Sequence, residues 1–160
     1  MTLRRLTFNL TTTQRRHARQ AALGIALSWT VAALMACSTP PKSTALYQEL
    51  GGPQGITAFS DRAIDRIVAD SRGKRSFDGV NMNELKKSIA NYICSVADGP
   101  CHYEGESMAK AHAETNISGS EFDLLVTMMR EEMDRSNVPT AAKNELLRRL
   151  APSRRDIVTH

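Results

Sequence analysis

The chain has 160 residues, 24% of them charged, with 21 Lys and Arg against 17 Asp and Glu; this length suits one domain built on one core. Five of the basic residues and none of the acidic ones fall in the first 37 positions, so the remainder holds 16 against 17 and carries a net charge of about −1. No long Lys/Arg run survives there to follow a phosphate backbone, which excludes nucleic acid as the partner.

The leader reads as an export signal. Arg4, Arg5, Arg15, Arg16 and Arg19 precede an uncharged apolar run over residues 21–36 that stops at Cys37, the order expected of a signal peptide. The run is short of the roughly 20 apolar residues a spanning helix needs, and the polar, proline-containing stretch 38–44 suits a tether. Leu34-Met35-Ala36-Cys37 resembles the bacterial lipobox, with Met35 where a small residue is usual. The expected organisation is therefore a signal peptide over 1–36, a lipidated Cys37 and tether over 37–45, and one domain over 46–160. The acylated cysteine would hold the protein to a lipid bilayer of a bacterial envelope, facing the periplasm. An uncleaved signal anchor, or cleavage near Ala36 that leaves Cys37 as a thiol, are the alternatives.

From Leu46 onward the apolar residues recur at helical spacing, which predicts an all-α domain. Leu46, Tyr47 and Leu50 form a short first helix closed by Gly51-Gly52-Pro53. A second helix sets Ile56, Phe59, Ala63, Ile64, Ile67 and Val68 against a charged face of Asp61, Arg62, Asp65 and Arg66, and ends near residues 70–73. After a corner at Phe77-Asp78-Gly79-Val80, Asn81 caps a third helix that turns Met82, Leu85, Ile89, Tyr92, Ile93 and Val96 inward and stops at Asp98-Gly99-Pro100. Residues 101–118 carry only about two turns of pattern, around Met108, Ala111 and His112. Ser118-Gly119-Ser120-Glu121 is a capping box that opens a strong helix with Phe122, Leu125, Val126, Met129 and Met133 inward. Asn137-Val138-Pro139 breaks it, and a last helix carries Leu146, Leu147 and Leu150 up to Pro152.

Three histidines lie beyond the leader, His102, His112 and His160, and they form no zinc spacing with one another or with cysteine. No Cys–His or Ser–His arrangement comes with an orienting acid, and there is no glycine-rich phosphate loop, so hydrolase chemistry has no support. His112 stands on the weak short helix between two strongly amphipathic ones. Such an imidazole is either a surface side chain or a ligand facing an apolar slot, and spacing alone leaves both open.

Taken in order, Leu46-Tyr47-Gln48-Glu49-Leu50-Gly51-Gly52, Ile56, Phe77-Asp78-Gly79-Val80-Asn81-Met82, Leu85-Lys86, Asp98-Gly99-Pro100, Tyr103-Glu104-Gly105, Met108, Ala111-His112, Ile117, Phe122, Val138-Pro139 and Leu150-Ala151-Pro152 resemble the group I truncated haemoglobins. The match spans nearly the whole domain. It implies a two-over-two helical sandwich around one haem b, with His112 as the proximal iron ligand and its second ring nitrogen on a backbone carbonyl. Phe77 would pack on the porphyrin, Leu85 and Ile89 would line the distal helix, and Met108, Ile117, Phe122 and Val126 would surround the macrocycle. The Gly51-Gly52 and Gly99 turns match glycines whose role is to permit tight corners. Lys86 and Lys87 read as a solvated face, with one of them available to a haem propionate.

Two family positions differ. The distal tyrosine position falls on Ile64, and the distal glutamine position on Ile89, so the expected pocket lacks the donors that hold oxygen. The resemblance then implies a globin that binds a diatomic gas, oxygen, nitric oxide or carbon monoxide, with nitric oxide removal or gas transport as its role. Any oxidation of nitric oxide needs an external reductase, and enzyme status is left open. The alternative is a haem-sensing or haem-free globin-like interaction module. Cys94 and Cys101, with Cys37 set aside, form a disulfide, remain two thiols, or hold haem through thioether bonds.

Overall fold

The computed structural model describes residues 44–160. The all-α expectation holds. Helix α1 spans Ala45–Glu49 and α2 Gly52–Ala69; the chain turns between them at Gly51 and the first residue of α2, Gly52, at φ 86° and 60°, left-handed values that glycine adopts without a Cβ clash. Pro53 then sits in the first turn of α2, where its missing N–H is no loss. The corner before α3 is a 3-10 turn, Lys74–Phe77. Helix α3, Met82–Val96, starts where the Asn81 side chain accepts from the amides of Asn83 and Glu84.

Helix α4, Met108–His112, is five residues long. One turn cannot sustain itself in water, and it is held from outside: it packs against a final short helix, α7, Arg154–Ile157, and the Thr159 amide donates to the Ile117 carbonyl at 3.0 Å. Between them run α5, Gly119–Arg135, whose capping box at Ser118 and Glu121 is present in full, and α6, Thr140–Leu150. Helix α6 stops at Leu150, before Pro152, as expected, but it is not the last helix. The chain continues through a 3-10 turn, Ala151–Ser153, into α7, because a proline in the first turn of a helix is tolerated.

Helix α2 packs on both α3 and α5, and α6 crosses α1, α3 and α5. The shared core contains Leu50, Ile56, Phe59, Ala63, Ile67, Ile93, Met133 and Leu146, all at most 2% exposed, and each large side chain among them contributes about 1.5–3 kcal/mol of transfer free energy. The charged face of α2 is not simply solvated. Arg62 and Arg66 reach Glu132 on α5 at 2.8 and 3.0 Å, Arg135 pairs with the same carboxylate, and the Glu132 side chain is only 2% exposed. Burial raises the pKa of Glu132, but the hydrogen bonds from Arg62 and Arg66 and the charge of Arg135 outweigh it and hold the group below its ordinary value.

Residues 1–36 and Cys37 lie outside the described residues. The signal-peptide and lipoprotein expectation rests on those residues; the membrane expectation is corrected for the described ones, among which no helix is long and apolar enough to cross a membrane, because each long helix carries a charged face. Nor does any group of three or more His, Cys, Asp and Glu gather there to hold a metal ion.

Candidate functional site

A cavity of about 460 Å³ opens among α2, α3, α4, α5 and α7, within the range of cofactor and ligand sites. Its walls are mostly apolar. Ile64, Leu85 and Ile89, the expected distal positions, all line it. So do Phe77, Met108, Ile117, Phe122 and Val126, and the structure thus brings every expected pocket residue to one cavity. Ile64 and Ile93 form fully buried floor, while Leu85, Ile89, Phe122 and Val126 are half-buried towards the rim.

His112 also lines the cavity. Its Nδ1 lies 2.8 Å from the Met108 carbonyl oxygen one turn earlier. A carbonyl only accepts, so Nδ1 carries the proton, and Nε2 keeps its lone pair for a ligand bond. Thr115 Oγ1 donates to the His112 carbonyl at 2.9 Å and ties off the end of α4. The imidazole is thereby oriented through Nδ1 by the backbone of its own helix. His102 and His160 are exposed and do not line the cavity.

The corner that carries Phe77 is positioned by Glu121. This carboxylate, 7% exposed, accepts from Ser118 at 2.6 Å, Ser76 at 2.9 Å and Arg75 at 2.6 Å, while Arg75 also donates to the Asn116 carbonyl at 2.9 Å. Burial pushes the carboxyl up, but the hydrogen bonds from Ser118, Ser76 and Arg75 prevail and hold it at about 2. One ionised group thus joins the start of α5, the Phe77 turn and the segment after His112.

The polar groups that reach the cavity are mostly engaged. Burial, aided by Tyr103 and opposed by Ser153, raises the Tyr92 hydroxyl above the ordinary phenol value, and Ser153 donates to the Leu150 carbonyl at 2.6 Å. The Tyr92 ring meets Tyr103 edge-on with centroids 5.1 Å apart. Lys86 pairs with Asp65 at 2.6 Å and Lys87 with Glu84 at 2.9 Å, and neither lines the cavity. The cation at the wall is Arg154, whose guanidinium lies 5.7 Å from the Phe122 ring centre.

Sequence reasoning missed Tyr103, Thr115, Arg154 and Ile157 as cavity residues. Tyr103 sits in a stretch with no periodicity, and Arg154 and Ile157 lie past the expected end of the last helix; the apolar pair Ile157-Val158 after Ser153 was the available signal.

Cys94 and Cys101 are joined in a disulfide, Cα atoms 5.8 Å apart across seven positions, well inside the bonding range. This excludes the two-thiol and thioether alternatives for the structure described. Gly99 lies in the loop they close. Its role differs from the one expected, since the positive φ falls on Asp98 at 60° instead. A Cβ on Gly99 would meet Cys94 Sγ and Tyr47 Cδ2, each at 2.6 Å, so glycine is required there for close packing.

A family model described as bacterial-like globin matches residues 45–159. The chain is 26% identical to the group 1 truncated haemoglobin of Tetrahymena pyriformis over 117 residues, 73% of this chain and 97% of the relative. It is also 26% identical to the group 1 truncated haemoglobin of Mycolicibacterium paratuberculosis over 114 residues, 71% and 84% of the two chains. The Fe(III) crystal structure of the T. pyriformis protein superposes with a TM-score of 0.67, covering 71% of this chain and 97% of that one. The 2/2 haemoglobin of Synechococcus sp. PCC 7002, solved in the cyanomet state with covalently attached haem, gives a TM-score of 0.66 at 21% identity and shares the fold.

Proposed function

Because the chain belongs to the bacterial-like globin family, with group 1 truncated haemoglobins as its relatives, we propose that its cavity holds one haem b on His112 and binds a diatomic gas there. The observation that carries this reading is the oriented imidazole: Nδ1 spent on the Met108 carbonyl, Nε2 unspent, at the wall of a 460 Å³ apolar cavity. A carbonyl partner of this kind fixes the tautomer and ring plane of a haem ligand. The residues fit the group in chemistry as well as in size. Phe77, Met108, Ile117, Phe122 and Val126 offer apolar faces for a porphyrin, and Arg154 supplies a cation at the wall for a carboxylate.

When bound, the haem supplies the iron that takes the gas; the chain decides which gas stays. Ile64, Leu85 and Ile89 exclude water and offer no donor. Oxygen depends on a donor more than nitric oxide or carbon monoxide does, and one charge-assisted hydrogen bond is worth about 1.5–3 kcal/mol. Tyr92 also lines the cavity, with its ring packed edge-on against Tyr103 on the side shared with the neighbouring cleft. The reading is therefore a globin for nitric oxide or carbon monoxide, and a poor oxygen store. Reaction of nitric oxide with oxygen would need a reductase to return the iron to its ferrous state. The Cys94–Cys101 disulfide supports a place in an oxidising compartment.

The test is an absorption spectrum after addition of one equivalent of haem to the purified chain. A Soret band that His112→Ala abolishes or shifts, and that imidazole added to His112→Gly restores, is the expected result. No Soret band, or one indifferent to His112, would overturn the proposal.

A further inference from the structure

Beside the main cavity lies a second, more polar cleft of about 360 Å³, bordered on its outer side by Ser107, Arg149 and Arg155. Tyr92, Tyr103, Met108 and Ser153 line both. These shared side chains stand between the polar cleft and the apolar cavity, and Tyr92 and Tyr103 among them pack edge-on against each other.

The two tyrosines are held very differently. Tyr92 stands on α3. Tyr103 stands on residues 101–107, which have no helix or strand, and among the described residues none of the backbone amides of 101–107 donates to a backbone carbonyl. The Tyr103 hydroxyl donates to the Glu106 carbonyl, a contact within the same segment. What ties this segment covalently to α3 is Cys101, two residues before Tyr103, bonded to the buried Cys94.

We propose that the Cys94–Cys101 disulfide latches a gate made by Tyr92 and Tyr103, and that its reduction opens a second route from solvent through the polar cleft into the apolar cavity. The travellers are small uncharged molecules, the class that an apolar interior admits. The proposal rests on the gas-binding reading only for the identity of that molecule.

The chemistry of the latch balances with a dithiol as reductant. A donor thiolate attacks the sulfur of Cys101, which is half-buried where Cys94 is 2% exposed, and the S–S bond breaks. Cys94 leaves as thiolate and takes a proton. The donor's second thiol then displaces Cys101 from the mixed disulfide, so the donor ends oxidised to its own disulfide and the protein gains two thiols. With the crosslink gone, residues 101–107 stay joined to α3 only through the main chain of residues 97–100, and non-covalent contacts alone hold Tyr103 against Tyr92.

The full chain, loaded with haem, is mixed with carbon monoxide in stopped flow before and after dithiothreitol, with free thiols counted by alkylation and mass. Reduction is expected to raise the association rate of the parent chain by about 2- to 10-fold, the change in gate population when one aromatic pair is undone. Tyr103→Ala, with its gate already open, should bind fast in both redox states. An unchanged parent rate with both thiols free would overturn the proposal, as would a Tyr103→Ala chain that responds to reduction as the parent does. Failure of the haem reading shows separately as a missing Soret band. Entry of an apolar fluorescent dye into the haem-free cavity then serves as the rate, and the same two outcomes decide.

Discussion

Replacing Ile89 by glutamine puts a hydrogen-bond donor into the apolar wall that Ile64, Leu85 and Ile89 share. Ile89 is half-buried at the inner face of α3, so the amide replaces a side chain of similar length without opening the fully buried floor at Ile64. A donor at that wall stabilises oxygen by about 1.5–3 kcal/mol, which at about 1.4 kcal/mol per decade slows oxygen release roughly 10- to 100-fold. Carbon monoxide, which draws little on a donor, should be released within about threefold of the parent rate, well short of one decade. The assay is stopped-flow displacement of oxygen by carbon monoxide, with carbon monoxide displacement by nitric oxide as the control. Ile64→Tyr with Ile89→Gln should fall short of the product of the two single effects, since both donors act on one ligand. If the parent already releases oxygen as slowly as the variant, the cavity contains a donor and the dry-wall reasoning fails. If carbon monoxide slows as much as oxygen, the substitution acts by blocking the path, and the hydrogen-bond argument is refuted.

Three further outcomes follow from the packing. Glu121 has a folded-state pKa of about 2, below the ordinary carboxylate value; its stabilisation is therefore full above about pH 5 and lost as pH falls through the folded value. Urea midpoints measured from pH 6 down to pH 2 should fall for the parent, and Glu121→Gln should flatten that limb; an unaltered limb would assign the acid sensitivity elsewhere. Gly99→Ala forces a Cβ against Cys94 Sγ and Tyr47 and should cost about 1–3 kcal/mol in urea unfolding, with neutral behaviour showing that the loop yields. Reducing the disulfide releases a loop spanning seven positions and should lower stability by about 2.5 kcal/mol on chain entropy alone, readable as a lower urea midpoint in dithiothreitol.

The elements most legible in the sequence were those whose signals are local. The Asn81 cap, the Ser118–Glu121 capping box and the Gly51-Gly52-Pro53 break each state a helix end within four residues, and each occurs where it was expected. His112 was legible only as part of a family spacing, because α4 is a single turn whose support comes from α7 and residue 159, more than 40 positions away. Tyr103 and Arg154 were missed for the same physical reason: no periodicity marks a residue that reaches the cavity from an irregular segment or a short terminal helix. The burial of Glu132 inverted a sequence rule. A charged face reads as solvated, and only the convergence of two helices shows that Arg62, Arg66 and Arg135 serve one hidden carboxylate.

That convergence sets how this sequence can drift. Three arginines share a single acceptor, so losing Arg62, Arg66 or Arg135 leaves Glu132 with two cations and a compensated charge. The reverse change is broader, since removing Glu132 takes the shared buried acceptor from all three at once and leaves Arg66 and Arg135 to Glu131 and Arg62 to Ser136. Mutational tolerance is thus lopsided across one ion cluster: the numerous, exposed partners are individually expendable, while the one acidic residue that a surface-based reading would pass over is the position where substitution meets resistance.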